Sequence, residues 1–275
     1  KENLVHLIME LISNMLLKRV ISSIVGILIF IGIISWGHFP FFILIALITA
    51  VGLREFNTIT QHDNYVSLLI TSLLFLVVSY LNLIYKIDFP IEYLFILVLM
   101  VFFYDSYRQE KLNDIIHTTS FNLLGIIYIV FGLIYFIYLR NLDFKFGLWI
   151  ALIGTWLTDI GAYFVGKYYG KLKMAPRISP NKTVEGAIGG IVFSFIFIIA
   201  VTFYLNVFNG LWLIYAVLLP FVAIAGDLFE SAIKRAAGVK DSGHIIPGHG
   251  GILDRFDSLL FTIPFTYFFL TLFLN

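Results

Sequence analysis

Cysteine is absent from the 275-residue chain, which excludes disulfides, thiolate catalysis and cysteine-ligated metal sites. Charge is also scarce: Asp, Glu, Lys and Arg make up 13% of the residues, against about 25% in a typical soluble domain. The net charge is +1 and no basic tract occurs, so the electrostatic pattern of nucleic-acid binding is missing. Hydrophobic residues instead reach 60%. The composition therefore predicts an integral membrane protein without a nucleic-acid partner.

The apolar sequence falls into nine runs near the length of about 20 residues that a transmembrane helix needs. The predicted spans are Val20–Trp36, Pro40–Leu53, Val66–Tyr85, Pro90–Tyr104, Thr118–Leu139, Phe146–Val165, Val184–Val207, Leu211–Ile233 and Phe256–Leu274. The predicted fold class is all-α, a polytopic transmembrane helical bundle of about nine spans. Residues 20–145 form its N-terminal helices, and 146–275 form a C-terminal region with polar loops. Residues 1–19 lack a cleavage-site pattern and are predicted as an amphipathic interfacial helix.

The Lys and Arg residues are unequally divided between the two sets of connections. With the N-terminus inside, three of the 18 lie outside: Lys86, Arg140 and Lys145. The inside group comprises Lys1, Lys18, Arg19, Arg54, Arg108, Lys111, Lys167, Lys171, Lys173, Arg177, Lys182, Lys234, Arg235, Lys240 and Arg255. This bias predicts a cytoplasmic N-terminus, an external C-terminus, and cytoplasmic polar loops at 167–183 and 234–255.

Nine charged residues are concentrated between Gly226 and Ser258 in an otherwise mostly apolar sequence. At the start of this stretch, four residues fall at i, i+3, i+4 and i+7 and are predicted to share one helix face. They are Asp227, Glu230, Ser231 and Lys234. A glycine-rich loop ending in His249-Gly250-Gly251 then leads to Asp254 and Asp257. Two acidic groups therefore flank a loop whose backbone can approach a ligand closely.

These acids have a functional and a structural interpretation. Asp159 lies in the middle of a predicted span, where a carboxylate costs about 3 kcal/mol and by default marks a site. The alternative is a buried ion pair with Lys167 or Lys234. For Asp227 and Glu230, the alternative is a salt bridge with Lys234 or Arg235, since such pairs are common one turn apart on a helix.

The segment Ser179-Pro180-Asn181-Lys182-Thr183 precedes the seventh span. Ser179 is predicted as the N-cap and Pro180 as the first helical residue, so that free N–H groups would face the loops together with Lys182. This arrangement suits a phosphate, and the alternative is simply a capped helix end. Gly186, Gly189 and Gly190 are predicted to serve close helix packing.

One family shares this combination of residues. The matching positions are Ser231, Lys234-Arg235, Lys240-Asp241, Gly243, Pro247, His249-Gly250-Gly251, Asp254-Arg255 and Asp257, with TWLTDIGAYFVGKYYG and ISPNKTVEGAIGG upstream. Together they resemble the phosphatidate cytidylyltransferases, also called CDP-diacylglycerol synthases. The resemblance covers about the C-terminal half.

The resemblance implies that the cytidylyl group of CTP is transferred to phosphatidate, giving CDP-diacylglycerol and pyrophosphate for phospholipid synthesis in the cell (inner) membrane. It implies Mg²⁺ on Asp227 and Asp254. It leaves open a second, monovalent cation and a homodimer. The implied catalytic residues are Asp227, Asp254, Lys234, Lys240 and Asp257. The implied substrate-binding residues are Asp159, Ser179, Lys182, Arg235, Asp241, His249, Gly250, Gly251 and Arg255.

Two other functions are compatible with the same polar residues. A secondary transporter of a phosphorylated anion also needs intramembrane acids and a basic mouth, but related halves are not apparent in this sequence. A CTP-dependent lipid kinase would transfer the γ-phosphoryl group instead. For His249, a structural role in the loop is the alternative to a substrate contact.

Overall fold

The computed structural model describes residues 26, 28–60, 65–86, 96, 99–101, 103–104, 106–107, 112–245 and 250–273. The predicted helix at 1–19, most of the predicted span Pro90–Tyr104, and His249 lie outside these residues. Residues 28–36 are helical and belong to the first predicted span.

Helices dominate the described chain. They are α1 (His38–Thr60), α2 (Tyr65–Tyr85), α3 (Leu112–Gly125), a π-helical turn (Ile126–Val130), α4 (Phe131–Arg140), α5 (Gly147–Tyr169), α6 (Val184–Tyr204), α7 (Gly210–Ala236), α8 (Leu253–Phe256) and α9 (Leu259–Phe273). Within the described residues, seven helices are long and apolar enough to cross a membrane, and they coincide with seven of the predicted spans. The polytopic helical bundle is thus confirmed. The count of nine stays a prediction, because the other two runs are only partly described.

Helices α5 and α6 approach each other through glycine, as the sequence predicts. A Cβ atom on Gly161 would lie 2.7 Å from the carbonyl oxygen of Gly189. One on Gly190 would lie 2.6 Å from the carbonyl oxygen of Thr158, and one on Gly186 would lie 2.8 Å from that of Ala162. Backbones in contact give the van der Waals packing that holds membrane helices together. This close pair forms one wall of the site described below.

Hydroxyl groups connect α9 to its neighbours. The hydroxyl of Thr155 in α5 donates to Thr262 at 3.0 Å, and the hydroxyls of Tyr215 and Thr266 share a hydrogen bond of 2.8 Å. Near the other end of α7, Gly226 leaves room for the backbone at Asp257, since a Cβ there would lie 2.8 Å from the Asp257 carbonyl oxygen. These contacts bring the polar end of α7 close to Asp257, which precedes α9.

A short β-hairpin connects α5 to α6. Strands β1 (Lys173–Ala175) and β2 (Ser179–Thr183) pair antiparallel, with Ala175 opposite Ser179. The prediction that Ser179 caps α6 is therefore wrong. The cap is Thr183, whose side-chain oxygen accepts from the Gly186 N–H at 3.1 Å. Strand pairing carries the chain past Ser179 and Pro180 in extended form, and the next suitable cap then starts the helix.

The π-helical turn lies inside the apolar span Ile115–Arg140. Its buried residue Tyr128 packs its ring against Phe229 of α7 and Phe261 of α9, at centroid distances of 5.1 and 6.0 Å. The turn therefore sits directly behind the polar end of α7.

The two ends of the bundle carry different contacts. At one end, the Arg140 guanidinium donates to the carbonyl oxygen of Ile34 and lies 3.0 Å from Nδ1 of His38. At the other end, Glu55 near the end of α1 contacts the chain between Ser242 and Leu253. The predicted outside residue Arg140 and the predicted inside loop 234–255 thus lie at opposite ends.

Candidate functional site

A cavity of about 520 Å³ lies between α5, α6, α7 and the hairpin. This volume is within the range of small-molecule sites. The lining residues are Asp159, Ala162, Tyr163, Gly166, Lys167, Met174, Asn181, Lys182, Thr183, Gly186, Ala187, Ile224 and Asp227. Asp159 therefore opens onto a cavity from the middle of α5, as its functional interpretation requires. Lys167 contributes a cation there, with Nζ 5.7 Å from the ring centroid of Tyr163.

Asp227 forms the contact between α7 and the hairpin at this cavity. Its Oδ2 lies 2.5 Å from Nζ of Lys182, and its Oδ1 accepts from the Ser231 hydroxyl at 3.3 Å. About a quarter of each charged side chain remains exposed (28% and 24%). The partner is thus Lys182 rather than Lys234 or Arg235, the partners that the sequence suggested. One carboxylate and one ammonium face the same space.

Lys234 lies in a second, more buried group about two turns further along α7. Its Nζ is 2.5 Å from Oε2 of Glu230 and 2.6 Å from Oδ1 of Asp254. The side chains are 10%, 3% and 8% exposed, so the three charges depend on one another for compensation. The helical face predicted for Glu230 and Lys234 is present, and Asp254 joins it from across the loop.

Backbone N–H groups fix the carboxylate of Asp254. Ser242 N donates to both carboxylate oxygens, at 3.2 and 3.0 Å, and Gly251 N donates to Oδ2 at 2.8 Å. Gly250 has a positive φ of 85°, and a Cβ there would lie 2.6 Å from Oδ2 of Asp254. Only a glycine suits this position. The predicted role of the loop in backbone approach therefore has a specific target, the Asp254 side chain.

Asp257 follows one turn after Asp254 and is half-buried. Its Oδ1 accepts from the Ser258 N–H at 2.6 Å. Asp159, Asp227 and Asp257 are close enough to repel one another electrostatically, while Lys182 and Arg255 attract Asp159. The structure thus brings the acids of three separate elements to one region.

The remaining predicted site residues lie around this region. Lys240, Asp241 and Arg255 are exposed. Arg235 donates from Nε to the carbonyl oxygen of Ile178 at 3.2 Å and so holds the hairpin. Ser179 is half-buried in β2, away from the helix end where it was expected.

Glu55 is a site residue that the sequence analysis missed. Its carboxylate is buried and accepts from Ile252 N and Leu253 N at 2.9 Å, and from the Ser242 hydroxyl at 3.1 Å. The predicted span Pro40–Leu53 stops two residues before Glu55, whereas α1 continues to Thr60. The available signal was an acid directly after an apolar run.

The donor set suits a hard divalent cation. Asp159, Asp227, Glu230, Asp254 and Asp257 interact electrostatically with the cations Lys182, Lys234 and Arg255. Lys167 also lines the cavity, so five acids and four cations leave one negative charge uncompensated when all are ionised. In the described part of the chain, no three or more His, Cys, Asp or Glu side chains are placed to enclose a metal ion. Mg²⁺ typically takes one or two carboxylates from a protein, together with phosphate oxygens and water.

Comparison with known proteins adds an independent finding. Residues 17–273 match the family model described as the Cytidylyltransferase family. The chain is 38% identical to a phosphatidate cytidylyltransferase of Bacillus subtilis (strain 168), with 93% of this chain and 98% of that protein covered. It is 46% identical over 147 residues to proteins of the same name from Staphylococcus haemolyticus and Staphylococcus aureus (strain COL), covering 53% of this chain and 56% of each of them.

Proposed function

Because this chain belongs to the cytidylyltransferase family, we propose that it transfers the cytidylyl group of CTP to phosphatidate, giving CDP-diacylglycerol and pyrophosphate. The observation that carries the proposal is the cavity, where Lys182 and Asp227 meet between membrane helices. A helix rise of 1.5 Å per residue places Asp227 about 26 Å from the start of α7 at Gly210. The hydrocarbon core of a bilayer is about 30 Å thick. The site therefore suits a lipid phosphate at the edge of the hydrocarbon core.

The chemistry requires positioning more than proton transfer. A phosphate monoester has its second pKa near 6, so phosphatidate arrives largely as the dianion. One of its oxygens attacks the α-phosphorus of CTP, and the bond from that phosphorus to the bridging oxygen of pyrophosphate breaks. No general base is needed, because the attacking oxygen already carries the electron pair. The barrier comes from bringing two polyanions together.

Cations of this chain would reduce that repulsion. Lys182 and Lys167 line the cavity, and Asn181 adds an amide donor beside them. Lys240, Arg235 and Arg255 are exposed, and we propose that they meet the triphosphate as it enters. Fixed charges aimed at developing negative charge are the main source of catalysis in phosphoryl-type transfer.

We propose Mg²⁺ as the cofactor, held by Asp227 and Asp254. When bound, Mg²⁺ would neutralise phosphate oxygens and the departing pyrophosphate. Asp227 is the cavity-facing ligand. For Asp254 to contribute, Lys234 must leave its Oδ1, and Glu230 then remains as the lysine's partner. Asp257 and Asp159 would supply negative charge around the cation, and Ser231 would orient Asp227.

We further propose that the loops of the site face the cytoplasm, where CTP is found. The excess of Lys and Arg in this set of connections supports that orientation. The bacterial relatives support a cell-membrane location. A homodimer is also proposed, on the family resemblance alone.

Label transfer tests the reaction. Purified protein is incubated with phosphatidate vesicles, Mg²⁺ and CTP labelled with ³²P at either the α or the γ position. We expect the α label in the lipid and the γ label in pyrophosphate. A γ label in the lipid would instead establish a kinase. Movement of a phosphorylated anion across proteoliposomes without turnover would establish a transporter. Reactions without phosphatidate serve as the control.

A further inference from the structure

Glu55 is a buried carboxylate, 4% exposed, on a helix from the N-terminal half of the chain. Its described contacts are hydrogen-bond donors of the loop before α8 rather than a Lys or Arg side chain. Oε1 accepts from Ile252 N, and Oε2 accepts from Leu253 N and from the Ser242 hydroxyl. A charge this buried is costly unless such donors satisfy it. The buried carboxylate of Glu55 therefore indicates that its hydrogen bonds to the loop have a function.

The chemistry of the contact requires a carboxylate. The N–H groups at the start of a helix have no partner within the helix, and Glu55 satisfies two of them at α8. An ionised carboxylate accepts through both oxygens and donates nothing, so it matches three donors at once. The loop is shaped around it: a Cβ on Gly243 would lie 2.7 Å from Oε1, and one on Gly251 would collide with Ser242 and Glu55.

The same short loop also holds Asp254. Ser242 donates its N–H to Asp254 and its hydroxyl to Glu55. Gly251 donates its N–H to Asp254, and the next two N–H groups of the chain donate to Glu55. Ser242 and residues 251–253 are therefore held between two carboxylates, Asp254 beside Lys234 and Glu55 on α1.

We infer that Glu55 is a positioning residue for the Asp254–Lys234 pair, acting through Ser242 and residues 251–253 without contacting the substrates. The inference rests on the proposed function, because it assigns Asp254 and Lys234 to the transfer step. Glu55 does not line the cavity. Its loss should therefore lower kcat while leaving the KM values for phosphatidate and CTP nearly unchanged.

The test is the Glu55→Gln variant of the full-length protein. The amide has the same size, but its NH₂ group cannot accept, so at least one N–H of Ile252 or Leu253 loses its partner. We expect kcat to fall about 10- to 100-fold, the usual effect of removing a group that orients a ligand side chain. Asp143→Asn, an exposed acid at the opposite end of the bundle, is the matched control and should keep full activity.

Hydrogen exchange provides a readout that is independent of turnover. In Glu55→Gln, amide exchange in the peptide covering 250–256 should speed up, while exchange in α5 and α6 stays unchanged. If Glu55→Gln does not fold, Ser242→Ala replaces it, since that change keeps the acid and removes the hydroxyl that donates to Glu55 and accepts from Asp254 N. We then expect a smaller loss of kcat and faster exchange in the same peptide.

Two results would overturn the inference: an unchanged kcat in both variants, or an activity loss that only follows the fraction of unfolded protein. If the wild-type protein makes no CDP-diacylglycerol, the proposed function fails. The exchange measurement then still decides whether Glu55 holds the loop.

Discussion

Asp227 and Lys182 lie 2.5 Å apart, and about a quarter of each side chain is exposed, at 28% and 24%. Ion pairs whose side chains are this exposed to solvent contribute only about 0–1 kcal/mol to stability. Asp227→Asn should therefore change the free energy of unfolding by no more than about 1 kcal/mol. Its kcat should fall about 10²- to 10³-fold, as when a strong electrostatic stabiliser is removed. Thermal unfolding in detergent and the label-transfer assay measure the two effects.

The Lys182→Met variant and the double variant separate a catalytic Asp227 from a purely structural one. If Asp227 serves only the ion pair, the double variant should regain the activity that each single variant loses. We expect no such recovery, because both side chains face the cavity and, in the proposed reaction, act on the substrates. Recovery would remove Asp227 from the proposed metal site.

For Lys234 we expect a large loss of stability, because its ion-paired group is buried. Lys234→Met leaves Glu230 and Asp254 facing each other without a cation, which should cost about 3–5 kcal/mol of stability. Lys234→Met with Glu230→Gln should recover part of that loss, since one stranded charge is gone. Thermal unfolding of the two variants checks this. Equal stability of Lys234→Met and wild type would mean that the group is already neutral or hydrated.

At the scale of residues, helical spacing alone places Ser231 beside Asp227 and Lys234 beside Glu230. The partners from other elements could not be predicted in this way. Lys182 reaches Asp227 because the hairpin folds over α7, and Glu55 reaches Ser242 across 187 positions of sequence. Such contacts depend on the packing of helices, which spacing along one helix does not specify.

At the scale of elements, the α5–α6 contact predicts a sharp difference between two glycines. A Cβ on Gly189 would collide with Val165 and lie 2.9 Å from the Gly161 carbonyl oxygen, whereas Gly210 has nothing within 4 Å. Gly189→Ala should therefore destabilise the protein by about 1–3 kcal/mol through overpacking. Gly210→Ala, also in a helix, is the control and should be nearly neutral. Thermal unfolding in detergent compares them, and equal melting temperatures would contradict the close packing.

The hairpin shows why a local helix-start pattern fails here. Ser179-Pro180 is a good beginning for a helix when considered alone. Glu185 accepts from the N–H groups of Lys171 and Leu172, and Arg235 holds the Ile178 carbonyl oxygen, so both ends of the hairpin are fixed. The glycine pattern of α6, by contrast, predicted its packing correctly, because small residues at that spacing have few other uses in a membrane helix.

At the scale of the whole molecule, sidedness can be tested with single cysteines, since the chain has none. Ser242 is 5% exposed and would label poorly, so exposed positions are preferable. We expect Arg177→Cys and His244→Cys to react with an impermeant maleimide only from the cytoplasmic side. Asp143→Cys should react only from outside. Reaction of His244→Cys from outside in intact cells would reverse the proposed orientation.

Hydropathy predicted the described spans well, because a chain that crosses a bilayer must form its backbone hydrogen bonds internally and present apolar side chains to the lipid. It could not predict their arrangement. The sequence assigned the site to the C-terminal half, yet α1 from the N-terminal half supplies Glu55. An apolar run does not specify which helices it packs against. The acid that follows Leu53 was the only indication in the sequence that α1 contributes to the site.

The π-helical turn at Ile126–Val130 determines which side chains of the following helix α4 face its neighbours. A π turn contains one residue more than an α turn, so everything after it is rotated by about 100° relative to an unbroken helix. That rotation directs Gly132 toward α9, where a Cβ would lie 2.8 Å from the Leu260 carbonyl oxygen. Deleting the exposed residue Ile127 would restore a regular helix and turn the face of α4 that carries Gly132 away from α9. Relatives that differ by one residue here would have to change the whole facing surface of α4 as well.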